Sequence, residues 1–115
     1  MGNLQKQFKK GALDIVVLNL LKQGDAYGYK IIRELDTRSG GYYKIKEGSL
    51  YPVLYRLEDK GYIESYRKEM TSERSVPRKY YRITSEGKKH LDDMINEWKM
   101  FCSITNNMLS GFGGI

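Results

Sequence analysis

Between Ala12 and Leu21 the chain carries Ala12, Leu13, Ile15, Val16, Val17, Leu18, Leu20 and Leu21, interrupted only by Asp14 and Asn19. Residues from about Phe8 to Lys22 predict a helix, and these side chains surround its axis almost completely. A helix that is apolar all round must be buried on more than one side. The run is too short to cross a membrane, which takes about 20 apolar residues. A chain of 115 residues makes one domain, or one domain with an appended element. One side of this helix can therefore pack on its own domain, while the other calls for a second partner.

Composition narrows the field. With 40% apolar residues, ten Tyr and two Pro, the chain is no disordered tail. Cys102 is the only cysteine, which excludes an intramolecular disulfide framework and points to a reducing, cytoplasmic compartment. No signal-peptide layout stands at the N-terminus. The formal net charge of +6 is unevenly spread. Residues 1–24 hold four Lys against Asp14, and residues 78–90 hold five basic residues against Glu86. Residues 91–115 carry Lys99 against Asp92, Asp93 and Glu97. Clustered positive charge favours a polyanion, and nucleic acid is the commonest one in the cytosol. A solvated surface with ordinary basic bias explains +6 equally well by itself. A membrane surface fits poorly, because neither basic cluster lies on a long amphipathic helix.

A second helix is expected over about Ala26–Thr37, with Asp25 as its N-cap and Tyr27, Ile31 and Leu35 as its inner stripe; Ser39-Gly40-Gly41 breaks it. A third runs from Gly48-Ser49 to just before Gly61, with Pro52 tolerated in its first turn. Leu50, Val53, Leu54 and Leu57 form its apolar stripe, and the opposite face shows Pro52, Tyr55 and Asp59, flanked by Ser49, Tyr51 and Arg56. Two alternating runs, Tyr62–Lys68 and Lys79–Ile83, flank the polar segment Glu69–Pro77 and predict a hairpin with a long tip. Thr84 is a good N-cap for a last helix over about Ser85–Leu109. Its stripe is Leu91, Met94, Trp98, Phe101, Thr105 and Met108, widened by Ile95, Cys102 and Leu109.

The fold class that follows is mainly α with a small β-hairpin: a winged helix-turn-helix over residues 1–83, a C-terminal dimerisation helix over 84–110, and a flexible tail over 111–115. A short helix presenting Ser, Tyr and Arg fits a major groove about 12 Å wide. A basic hairpin can reach the neighbouring backbone, and Lys6, Lys9 and Lys10 can neutralise phosphates on the flank. The last helix cannot cover a 25-residue apolar stripe within a domain of this size. Pairing it with the first helix of a second copy covers both, and two-fold dimers are the commonest symmetry.

Four motifs make the pattern more specific. They are Gly24-Asp25-Ala26-Tyr27-Gly28-Tyr29-Lys30-Ile31; Gly48-Ser49-Leu50-Tyr51-Pro52-Val53-Leu54-Tyr55-Arg56-Leu57-Glu58; Gly61-Tyr62-Ile63; and Pro77-Arg78-Lys79-Tyr80-Tyr81-Arg82-Ile83-Thr84 with Gly87 beyond. In register and at these spacings they resemble the PadR family of bacterial transcriptional regulators, over essentially the whole chain. The resemblance implies a homodimeric repressor on a roughly palindromic double-stranded DNA operator, released by a ligand or signal. It implies that Ser49, Tyr51, Tyr55 and Arg56 lie on the recognition helix, with Lys46 just ahead of it. Arg78 and Lys79 fall in the wing. One departure stands out: family wings often read Gly-Arg where this chain has Ser75-Val76, which removes a flexible glycine and a cation.

Trp98 has two readings. It is a packed interface aromatic, or it is a platform for a small planar aromatic effector at the dimer centre, as in similar drug-sensing proteins. In the second case Ala12, Ile15 and Asn19 would line the same cavity. His90 has no second His and no Cys at metal-ligand spacing, so no metal is expected and a surface or phosphate-facing place is. Cys102 is expected to be a small buried hydrophobe. Ser49 has no neighbouring base, and neither a phosphate-cradling glycine loop nor a paired acid–base set is present. No enzyme activity and no cofactor are expected. The competing reading from another class is a winged-helix module that binds protein, its basic surface incidental.

Overall fold

A computed structural model describes residues 2–68 and 78–111, with side chains from residue 7 onward. The wing tip, including Ser75, Val76 and Pro77, lies outside the described residues, as do the side chain of Lys6 and the end of the tail. The elements, in chain order, are helix α1 (Gly2–Gln23), strand β1 (Ala26–Tyr27), helices α2 (Gly28–Arg38) and α3 (Glu47–Asp59), strands β2 (Ile63–Lys68) and β3 (Arg78–Ile83), and helix α4 (Ser85–Leu109). This is a winged helix-turn-helix followed by a long C-terminal helix. The three strands form one antiparallel sheet in the order β1-β3-β2.

The helix ends follow local chemistry. Gly40 and Gly41 both take positive φ, which ends α2 and turns the chain toward α3. Gly61, at φ +79°, terminates α3. Thr84 caps α4: its Oγ1 accepts from the Gly87 N–H at 3.0 Å and donates to the Gly61 carbonyl at 2.7 Å. The cap thus ties α4 to the turn that ends α3.

Strand β1 was not expected. The sequence pattern puts Ala26 and Tyr27 in the second helix, but they pair with Tyr81 and Tyr80 of β3. Tyr27, in extended backbone, is the residue flanking α2, with no side-chain cap. Asp25 therefore caps nothing; its Oδ2 accepts from the Tyr66 hydroxyl at 2.6 Å. A two-residue strand is too short to show a period, and only its partner strand reveals it.

One core holds these elements together. Val17, Leu18 and Leu21 of α1 meet Ile31 of α2, Leu50, Leu54 and Leu57 of α3, Ile63 and Tyr81 of the sheet, and Leu91 of α4, all essentially inaccessible. The apolar run of α1 is satisfied largely within the chain: six of its eight side chains are buried, and Ile15 and Val16 are partly so. The second partner inferred from that run is thus not required by it, because α1 runs through the middle of the head. The unsatisfied apolar surface lies elsewhere. Trp98, Met100, Phe101, Ile104, Met108 and Leu109, on the distal half of α4, are all exposed, as is Phe8. Cys102 is only half-buried. Among the described residues no helix is long and apolar enough to cross a membrane.

Candidate nucleic-acid interface

Helix α3 turns Leu50, Val53, Leu54 and Leu57 into the core and leaves Ser49, Pro52, Tyr55 and Arg56 exposed. Lys46 stands exposed at its N-cap in extended backbone. The position of Tyr51 depends on a glycine. A Cβ added at Gly28 would collide with the Tyr51 hydroxyl and come within 2.9 Å of its Cζ. With glycine there, the phenol of α3 lies directly on the first turn of α2. Burial raises the Tyr51 pKa, assisted by nearby Glu47 and Tyr55. Burial, with contributions from Tyr51, Glu58 and Tyr55, pushes Tyr81 up to about 12. Both phenols are therefore neutral hydrogen-bonding groups near pH 7.

These side chains converge on one polar hollow of about 420 Å³ between the starts of α2 and α3 and strand β3. Tyr27, Tyr29, Tyr51 and Tyr55 line it, with Arg78 and Lys79 on the β3 side. The cations are held against rings: the Arg78 guanidinium lies 4.4 Å from the Tyr27 centroid, and the Lys79 ammonium 5.6 Å from that of Tyr81. Tyr51 and Tyr55 are tilted neighbours, 5.9 Å apart. Four of the expected residues are thus brought together in the hollow, Tyr51, Tyr55, Arg78 and Lys79; Ser49 is exposed on α3 but does not line it. Tyr27, expected on the inner stripe of the second helix, and Tyr29, which has no role from sequence, belong to the same hollow. The signal for them was the Tyr27-Gly28-Tyr29 triplet, in which the glycine admits Tyr51.

Arg56 is placed differently. Its Nη2 donates to Asp14 Oδ1 of α1 at 2.6 Å, so its head is drawn toward α1 and does not line the hollow. Sequence spacing gave no hint of this pair, whose members are 42 residues apart.

A second, apolar groove of about 590 Å³ runs between α1 and α4. Phe8, Gly11 and Ile15 line it from α1, and Met94, Trp98 and Phe101 from α4, with Gln7, His90, Asp93 and Glu97 at its edges. Trp98 and Ile15 therefore do share a cavity. Ala12 and Asn19 do not line it: Ala12 is buried, and Asn19 opens onto a separate depression with Gln23, Arg38 and Tyr43. Asn19 instead meets the end of α2, where Leu35, Arg38 and Ser39 line the same depression. His90 stacks on Tyr62 with ring centroids 4.0 Å apart, at the groove's edge and not among phosphate-facing cations. Among the described residues no cluster of three or more His, Cys, Asp or Glu could hold a metal.

The family model described as "Transcriptional regulator PadR-like family" matches residues 17–93, from within α1 through the first half of α4. The chain is 30% identical over 83 residues to the negative transcriptional regulator PadR of Bacillus subtilis, covering 72% of this chain and 44% of that protein. A transcriptional regulator from Clostridium thermocellum superposes with a TM-score of 0.80 at 39% identity, covering 88% of this chain and 93% of that one. A PadR family regulator from Eggerthella lenta superposes with a TM-score of 0.83 at 30% identity, covering 94% and 90%.

Proposed function

This chain belongs to the PadR-like family of transcriptional regulators, and from that premise we propose that it is a homodimeric repressor that binds a double-stranded operator and is released by a small aromatic effector. As a member of that family it is a regulator of transcription, not an enzyme. The observation that carries the DNA reading is the convergence of tyrosines and two ring-supported cations, with Glu47 beside them, on the hollow at the start of α3. Recognition helices present their N-terminal residues to base edges, and flanking cations neutralise phosphates. Ser49, Tyr51 and Tyr55 are the reading residues; Lys46, Arg78 and Lys79 contact the backbone. Arg56 joins them only when its pair with Asp14 opens.

Two copies are supported by the exposed apolar side chains on the distal half of α4, which a second α4 or the exposed Phe8 end of a second α1 would cover. The effector reading rests on the groove containing Trp98, Phe101 and Phe8, whose aromatic walls suit a flat ligand. In this reading residues 1–83 form the DNA-binding part, and α4 holds the two subunits together.

Selecting bound duplexes from a random pool, then measuring binding by fluorescence anisotropy at several salt concentrations, tests the proposal. A preferred sequence and a steep loss of affinity with salt are expected. Arg78→Ala weakens all duplexes about equally, whereas Tyr55→Ala changes the discrimination between them. Equal binding to every sequence, or indifference to salt, would mean that the face serves a protein partner instead. Trp98 is the only tryptophan, so its fluorescence reports directly on planar aromatic compounds entering the groove.

A further inference from the structure

Helix α3 carries a single basic residue, Arg56, against Glu47, Glu58 and Asp59. That one cation is already engaged by a carboxylate from another helix, Asp14 of α1. As the helix assigned above to the duplex, α3 would meet a polyanion with its only positive charge neutralised. We propose that Asp14 sets the affinity for DNA: by holding Arg56 against α1, it withholds from the duplex the only cation α3 has. This inference rests on the reading of α3 as the DNA-facing helix.

The pair is placed so that the cation can change partners. The Arg56 side chain is 47% exposed and that of Asp14 24%, so the bridge lies at the surface. Surface ion pairs are weak, while a phosphate contact that releases a counterion competes effectively at low salt. A guanidinium has five N–H donors in a fixed fork, and only its Nη2 is bonded to Asp14. On α3, Arg56 follows the exposed Pro52 by four residues and precedes the exposed Asp59 by three, so its head can swing onto the open face. Asp14 is also next to Ile15, which lines the apolar groove. A shift of α1 there would act on the pair directly, linking the state of the groove to the charge α3 presents.

A double-mutant cycle tests this. Asp14→Asn, Arg56→Gln and the double variant are titrated with the selected duplex by fluorescence anisotropy over a range of salt. Asp14→Asn is expected to bind about three- to tenfold tighter, with the salt dependence steeper by about one released ion. Arg56→Gln should cost less affinity in the unmodified chain than in the Asp14→Asn background, since Asp14 competes with the duplex for that charge. In the double variant the gain should vanish. A gain that survives without Arg56 would reflect only the loss of a nearby negative charge and overturns the proposal. So does an unchanged affinity for Asp14→Asn while the unmodified protein binds. Absence of binding by the unmodified protein, even at low salt, overturns the DNA reading as well. Asp14→Ser is the second variant, and thermal unfolding of each verifies the fold.

Discussion

The two halves of α4 carry one apolar stripe and meet opposite fates. Near its start, Leu91 is fully buried and Gly87 lies directly on the Tyr62 carbonyl. Beyond Trp98 the stripe continues through Phe101 and Met108, yet Met108 is 77% exposed and Leu109 78%. Nothing in the spacing changes along the helix. What changes is that the head stops: α1 and β3 pack on the start of the helix, α1 reaches along it as far as Phe101, and the helix then projects past them. Periodicity identifies which face is apolar; it does not say whether this chain or another covers it.

The contrast can be broken most strongly at its buried end. Leu91→Ala removes a fully enclosed side chain from the junction of helix and head, and it should lower stability by about 2–5 kcal/mol in urea unfolding. Gly87→Ala should cost about 1–3 kcal/mol, because the new Cβ meets a backbone carbonyl and comes within 2.8 Å of Ile83 Cγ1. If Gly87→Ala were neutral, α4 would not be seated as tightly as its first turn indicates. Thr84→Ala, which removes the cap shared with the Gly61 carbonyl, should cost about 1 kcal/mol.

Tyrosine ionisation reports on the head alone, since all ten tyrosines precede α4. Tyr81 titrates near 12 in the folded chain against 10.0 for an ordinary phenol, because burial disfavours the phenolate. Its contribution is fully present below about pH 10 and is lost as pH rises toward about 12, the unfolded state ionising first. Tyr81→Phe should flatten the alkaline fall in unfolding midpoint. The smallest effect on folding belongs to the distal stripe: Met108→Glu should leave stability within about 0.5 kcal/mol. It should nevertheless weaken self-association at least about tenfold in sedimentation, as expected for a charge placed in an apolar interface. Unchanged association would remove the distal stripe from the proposed dimer contact.

The two candidate sites differ in the same way. The hollow draws on Tyr51 and Tyr55 from one helix and Arg78 and Lys79 from one strand, each legible within its own motif. Even so, Tyr27 reads as part of a helical stripe, because a two-residue strand leaves no period of its own. In the apolar groove, Ile15 and Trp98 meet as expected, whereas Ala12 and Asn19 point elsewhere. Choosing the residues of α1 that meet α4 requires the crossing of the two helices, and composition carries no information about that angle.

By itself, then, the amino-acid order determined what is set within a few residues: where α3 stops at Gly61, how Thr84 starts α4, which side of α3 is apolar, and which residues alternate in the hairpin. Such features depend on capping, glycine conformations and side-chain period, all local in sequence. Tertiary structure alone decided the matters that depend on distant segments meeting. It turned Ala26–Tyr27 into a third strand, enclosed the apolar run of α1 within one chain, and left the far half of α4 uncovered. It also brought Asp14 to Arg56, a charge pair across 42 residues. The physical reason is the same in each case: burial and pairing are properties of what lies opposite a side chain, and that is supplied by the packing of other elements.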